Sequence, residues 1–200
     1  MKSVFLIEDH PIVRDSLASY LEETGRWRVT GSASSLEQAK EYLTKNTADI
    51  ILLDIQLNDE LGLNIIPWLK QQHENDSQLP IFAVFTSYND FVYASAALVK
   101  GVSVYMCKHH SVSDLEKALC DALEGKTYID SCVQSKLDNA ANILSLLTKR
   151  EKEIFAMVKS GFSNKEIAKH LNISYRTVEN ILCCVYDKVG VKSRHELQNI

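Results

Sequence analysis

Residues 50–62, IILLDIQLNDELG, open on four large apolar residues, Ile50 to Leu53, and break abruptly at Asp54. A strand that is apolar at every position, not at alternate ones, is covered on both faces, as in parallel sheets flanked by helices. The stretch FLIEDHPIVR reads the same way, its apolar run Val4 to Ile7 ending at Glu8-Asp9. Outward from these two, runs rich in β-branched or aromatic residues recur at Arg28 to Ala33, Ile81 to Phe85 and Val102 to Met106. Helix-period segments lie between them, at Pro11 to Glu23, Leu36 to Lys45, Leu63 to Gln72, Phe91 to Lys100 and Val112 to Leu123. Ser35 and Ser111 stand at N-cap positions, and Gly25, Gly101 and Gly125 where helices stop. Five βα units predict an α/β fold with a doubly wound, five-stranded parallel sheet. Ligands of such sheets sit beyond the carboxyl ends of the strands.

The whole chain, 200 residues with 46% hydrophobic and 24% charged, excludes a disordered or collagen-like polymer. Its longest apolar runs fall well short of the roughly 20 residues of a membrane helix. Glu8 and Asp9 come too early for a signal peptide, so a cytoplasmic protein without membrane contact is expected. Five cysteines, at 107, 120, 132, 183 and 184, show no CxxC or zinc-type Cys/His spacing, which predicts reduced thiols and no structural metal. The net charge of −4 is unevenly spread: residues 1–147 carry 12 Lys+Arg against 20 Asp+Glu, residues 148–200 carry 10 against 6. The first part suits a cation and the second a polyanion.

Beyond Gly125 the pattern changes. Val133, Leu137, Ala140, Ala141 and Leu144 give a weak helical repeat, which predicts a helical linker over 127–146 between a first domain, 1–126, and a second, 147–200. The second domain shows no strand signal. Its apolar spacing, including Ile154, Met157, Val158, Ile167, Ala168, Leu171, Val178, Ile181, Leu182, Val185 and Val189, describes a small all-α module of three or four short helices.

Glu8 and Asp9 after the first strand and Asp54 after the third should converge at one edge of the sheet, near Thr86 after the fourth and Lys108 after the fifth. Two carboxylates about 4 Å apart repel by roughly 4 kcal/mol at an effective dielectric near 20, so the cluster needs compensation. Mg2+ takes oxygen ligands and keeps waters, leaving room for a phosphoryl oxygen. Asp9 and Asp54 would bind it directly, with the Gln56 carbonyl as a third ligand and Glu8 acting through water. Lys108 would neutralise a second phosphoryl oxygen during transfer to a carboxylate nucleophile.

FLIEDHPIVR, IILLDIQLNDELG, VFTSYND with Thr86-Ser87, and GVSVYMCK with Tyr105 and Lys108 together resemble the receiver domain of two-component response regulators over residues 2–124. The resemblance implies a flavodoxin-like fold in which Asp54 is phosphorylated by a sensor histidine kinase or a small phosphodonor. It also implies Mg2+ at Asp9 and Asp54, Lys108 on the phosphoryl group, and Thr86 and Tyr105 as a switch. Phosphorylation would draw the Thr86 hydroxyl in, and the vacated space would let Tyr105 move inward. Asn58 stands where such receivers usually have proline, so the loop after Asp54 lacks a fixed φ. His109-His110, which follow Lys108, read as a solvated pair.

In the second domain, Asn164 to Leu171, Asn172-Ile173-Ser174 and Tyr175 to Val189 read as helix, turn, helix, with Ser174 as N-cap. Val178, Ile181, Leu182, Val185 and Val189 share one face of the longer helix, while Arg176, Glu179, Asn180 and Cys183 share the opposite one. A major groove admits one helix, where Asn can pair with adenine and Glu can accept from cytosine. LTKREKEIF, GFSNKEIAKHLNIS and YRTVEN resemble the LuxR/NarL-type helix-turn-helix over residues 147–198. The resemblance implies a four-helix DNA-binding domain with residues 175–189 as recognition helix and a last helix, Ser193 to Ile200, in dimerisation. Glu179, Asn180 and Cys183 would then face bases, with Lys165, Ser174, Tyr175, Arg176, Thr177, Lys188 and Lys192 near the backbone. Cys184 reads as small apolar filler beside the packed face.

The expected protein is a phosphorylation-controlled transcription regulator, dimeric when phosphorylated, whose partners are a kinase, double-stranded DNA and RNA polymerase. It would be no enzyme beyond its own phosphorylation and dephosphorylation. A phosphatase is disfavoured because no Gly-rich loop follows the first strand and no second aspartate stands two residues after Asp54. A protein-interaction module with weakened DNA binding is the other alternative, motivated by Glu179, Ile181, Cys183 and Cys184 in the recognition helix.

Overall fold

The structure is a computed structural model, and it describes residues 1–72 and 79–199. Ile200, at the end of the expected last helix, lies outside the described residues. By internal contacts the chain divides into two units, Met1–Gln134 and Ser135–Ile200.

The first unit is built from β1 (Lys2–Ile7), α1 (Pro11–Glu23), β2 (Trp27–Ala33), α2 (Leu36–Lys45), β3 (Ile50–Leu53), the two-residue strands β4 (Gln56–Leu57) and β5 (Glu60–Leu61), and α3 (Ile65–Gln72). It continues through β6 (Ile81–Thr86), α4 (Phe91–Val99), β7 (Val102–Cys107), α5 (Val112–Leu123) and β8 (Tyr128–Ile129). The sheet runs β2-β1-β3-β6-β7-β8, every pair parallel. One face is filled by Leu17 and Leu21 of α1 and Leu115, Ala118, Leu119 and Ala122 of α5, packed on Val4, Leu6, Leu52, Ala83, Val104 and Met106. On the other face the Phe5 ring stacks on Tyr42 of α2 at 4.5 Å. That double cover is the reason β1 and β3 need no polar side.

Two features depart from the expected fold. A sixth strand, β8, extends the sheet, so residues 128 and 129 belong to it and not to the helical linker. Helix α6 (Ser131–Leu146) starts only after it. The loop after Asp54 is also not loose: β4 and β5 pair antiparallel, Gln56 with Leu61 and Leu57 with Glu60. Asn58 turns this hairpin at φ 51, a left-handed conformation open to asparagine and closed to proline, whose φ is held near about −65°.

In the second unit α7 (Lys149–Lys159), α8 (Asn164–His170), α9 (Tyr175–Val189) and α10 (Arg194–Asn199) enclose Leu147, Ile154, Val158, Ile167, Val178, Leu182, Val185 and Leu197. Their ends are specified locally. Thr148 with Glu151, and Ser163 with Glu166, form reciprocal capping boxes, each satisfying two otherwise orphaned N–H groups. Ser174 accepts from the Thr177 N–H at 3.0 Å, and Gly190 closes α9 at φ 76.

Candidate phosphoacceptor site and DNA-facing helix

The register of the sheet fixes the acidic cluster. Ile7 lies beside Leu53, Leu53 beside Val84, and Val84 beside Tyr105. The residues that follow each of these positions therefore emerge at one edge. Neighbouring connections diverge there, β1 passing to β2 on one side while β3 lies on the other, which opens a crevice.

Asp54 is 5% exposed, and each carboxylate oxygen is engaged. Oδ1 accepts from the Thr86 hydroxyl at 2.6 Å and the Ile55 N–H at 2.6 Å; Oδ2 accepts from Lys108 Nζ at 2.5 Å. The same ammonium donates to Glu8 Oε2 at 2.7 Å. Burial works against the charged lysine, but its bonds to Asp54 and Glu8 outweigh that cost and hold the ammonium above the ordinary lysine range. Lys108 thus ties the ends of β1, β3 and β7 together through a single half-buried charge.

Asp9 lies further out. Partial burial disfavours its charge, yet the Asn58 N–H, 3.0 Å from Oδ2, and the neighbouring His10 together hold its carboxyl below the usual range. Asp9, Asp54, Gln56 and Lys108 line one cleft of about 350 Å³ with His10, Asn58, Ser87 and Tyr88. Glu8 sits beneath that cleft, its other oxygen meeting the His10 backbone N–H at 3.2 Å. His10 is a member that the sequence did not single out: its Nδ1 is 2.9 Å from Asp9 Oδ1 and 3.2 Å from Glu8 Oε1. The only signal for it was its place directly after Asp9.

Tyr105 differs from expectation. Its ring is fully buried and its hydroxyl donates to the Tyr88 carbonyl at 2.9 Å, while burial drives its phenol pKa upward. Thr86 is likewise already on Asp54. With Asp54 unmodified, Tyr105 therefore already lies inward and Thr86 is already bonded to Asp54.

On α9, Arg176, Thr177, Glu179, Asn180 and Cys183 are exposed, as are Ser174 and Tyr175 before them and Lys165 and Lys192 on neighbouring segments. Ser174 and Thr177 are occupied with each other, hydroxyl to hydroxyl at 2.8 Å. Lys188, itself exposed, pairs with Glu151, 2.8 and 2.9 Å from its two oxygens. Cys184 is exposed, not filler beside the packed face.

A parallel doubly wound sheet with three acids and a lysine at its switch point, followed by a helix-turn-helix, defines a response regulator. The response regulator receiver domain matches residues 4–120 and the LuxR family of bacterial regulatory proteins matches residues 145–200; the chain belongs to the response regulator receiver family and carries a LuxR-type DNA-binding domain. It is similar to the response regulator protein VraR of Staphylococcus saprophyticus, 29% identical over 195 residues, covering 96% of this chain and 91% of that protein. The transcriptional regulatory protein DesR of Bacillus subtilis is 29% identical over 196 residues, 98% of this chain and 94% of that one. Among solved structures, RcsB of Salmonella typhimurium superposes with a TM-score of 0.76 at 25% identity, covering 100% of this chain and 98% of that one. An RcsB–DNA complex gives 0.70 at 25% identity, with 99% and 96% covered. No helix among the described residues is long and apolar enough to cross a membrane.

Proposed function

We propose that Asp54 is the phosphoacceptor through which a histidine kinase, or a small phosphodonor, controls DNA binding by α9. The observation that carries this reading is the Lys108 ammonium held between Glu8 and Asp54, with the Thr86 hydroxyl on the opposite Asp54 oxygen. The Asp54 carboxylate oxygen attacks phosphorus, the bond from phosphorus to the donor's nitrogen or oxygen breaks, and the departing group leaves with the electron pair. Lys108 moves from the carboxylate to a phosphoryl oxygen, neutralising charge in a water-poor setting. Thr86 transfers its hydrogen bond to another phosphoryl oxygen without a large displacement.

The donor set fits a hard dication, since it offers carboxylate and carbonyl oxygens and no sulfur. Asp9, Asp54 and the Gln56 carbonyl would hold Mg2+, with Glu8 orienting Lys108 from below. When bound, the ion supplies charge neutralisation at the phosphoryl oxygens.

For α9, exposed Asn180 and Glu179 supply base-reading groups and Arg176, Lys165 and Lys192 supply phosphate contacts. With Lys188 paired to Glu151 the cationic surface is thin, which favours binding as a dimer on two half-sites about one helical turn apart. The RcsB–DNA complex supports this assignment; RNA polymerase would be the downstream partner and the cytoplasm the setting. Intact-mass analysis after incubation with acetyl phosphate and Mg2+ tests the chemistry. One added phosphoryl group in the wild type and none in Asp54→Asn is expected, and equal labelling of both rejects it.

A further inference from the structure

Away from the acidic cleft, two chain segments that the sequence keeps apart are brought together by β7 and β8. Tyr105 pairs with Ile129, and the Asp130 N–H donates to the Tyr105 carbonyl at 2.9 Å. The Asp130 side chain is thereby fixed under the loop that follows β7, where its Oδ2 accepts from the Cys107 N–H at 3.2 Å and its Oδ1 from the Cys132 N–H at 3.1 Å. The carboxylate is 1% exposed. Burial alone would favour its neutral form; hydrogen bonds from Cys132 and Cys107 outweigh this and keep it an anion.

Two imidazoles converge on that anion. His110 Nε2 is 2.9 Å from Asp130 Oδ2 and His109 Nε2 is 3.8 Å from the same oxygen, their rings 4.3 Å apart. Despite its short distance, His110 Nε2 has no hydrogen-bond partner, because the carboxylate does not lie along a hydrogen-bonding direction, and it is shielded from solvent. A buried ring nitrogen left so is unfavourable. We propose that His109, His110 and Asp130 form a binding site for a dication of the zinc class, distinct from the acidic cleft.

The geometry suits such an ion. Tetrahedral zinc with nitrogen and oxygen ligands at about 2.0–2.2 Å has ligand-to-ligand edges of about 3.3–3.6 Å, and the two observed separations bracket that value. The three ligand atoms already lie within 4.8 Å of one another, so rotation of the two rings closes them on one centre. The donor set selects the metal class: two imidazoles and one carboxylate suit zinc, whereas Mg2+ demands oxygens. One buried negative charge and two neutral rings leave the bound dication partly compensated, and His109, 61% exposed at its side chain, opens the fourth position to water. The thiols of Cys107 and Cys132 lie behind the carboxylate, within 4.8 Å of it and of each other. Burial pushes the Cys107 thiol up to about 12. Because Lys108 stands between Cys107 and His109, an ion here clamps the backbone that carries the phosphoryl-facing ammonium to the start of α6.

Zn2+ titration of the full-length protein, against a chromophoric chelator and with millimolar Mg2+ present to saturate the acidic cleft, tests the site. One equivalent is expected to bind the wild type, with affinity at least about tenfold weaker in His109→Ala/His110→Ala and unchanged in Asp9→Asn. Zinc should raise the Tm of the wild type and not of the double variant. Should the double variant fold poorly, His109→Asn, at the more exposed ring, is expected to lose part of the affinity. Absence of stoichiometric binding in the wild type, retention of full affinity in the His variants, or loss of binding in Asp9→Asn each overturns the proposal.

Discussion

Gly62→Ala separates backbone geometry from side-chain chemistry at the phosphorylation site. Gly62 stands where β5 returns beneath β3, its N–H donating to the Ile55 carbonyl at 2.6 Å. A Cβ added there would overlap the Asp54 carbonyl oxygen and would also crowd the Ile55 carbonyl oxygen at 3.4 Å. The obstacle is backbone, not a flexible side chain, so one of the two segments must retreat by roughly 1 Å. Overpacking of this kind costs about 1–3 kcal/mol, and more where the neighbour is rigid; about 3 kcal/mol is expected here. The strand end that retreats carries Asp54, and a displacement near 1 Å in a reacting group lowers rates by up to about 100-fold. Urea denaturation gives the stability, and acetyl-phosphate labelling followed by mass spectrometry gives the rate. A variant as stable as wild type and labelled at the same rate would show that the Gly62 contact does not hold Asp54 in place.

Lys108→Met, in Mg2+-free buffer, leaves Glu8 and Asp54 facing each other without a cation; a loss of about 3 kcal/mol at pH 7 is expected, shrinking as pH falls because one carboxyl can then take up a proton. A urea midpoint that does not recover on acidification would contradict this. Asp49 is held at about 2, chiefly by its bond from Lys2 and then by those from Ser3. Its depressed pKa means that its stabilisation is complete above about 4 and is lost as pH falls toward 2. With a third of the side chain in water, Asp49→Asn should cost about 1 kcal/mol at pH 7 and almost nothing near pH 2, as read from thermal unfolding across pH. Ser174→Ala removes the α9 cap and should cost about 1 kcal/mol, with helical circular dichroism and the unfolding midpoint of the second domain as the readouts.

Much of the fold could be read directly because its signals are local. Helices α1, α2, α5 and α9 begin and end as their periodicity and flanking Ser, Pro and Gly residues indicate. The five long strands announced themselves as apolar runs. What escaped the sequence depends on pairing in space. Strands β4, β5 and β8 have two residues each, too few to show a period. Asp130 looks like an ordinary polar residue before a helix until β8 carries it beneath Cys107. The pairing of Lys188 with Glu151, 37 residues away, is likewise invisible to local pattern. Cys184 reads as filler beside the packed face, yet a step of about 100° per residue from Val185 turns it out to solvent. The acidic site was legible because strand-end positions share one edge in a parallel sheet; the arrangement of Thr86 and Tyr105 was not, since it depends on contacts with Asp54 and with the Tyr88 carbonyl that only the fold brings together.

The short strand β8 bears on where this protein can be cut. Ending a receiver fragment at residue 126 would strip β7 of its outer neighbour and bare the main-chain groups of the very strand that holds Tyr105. Exposed strand edges recruit other chains, so that fragment should self-associate or precipitate. One carried on through Gln134 keeps the edge covered and retains the first turn of α6 as a lid.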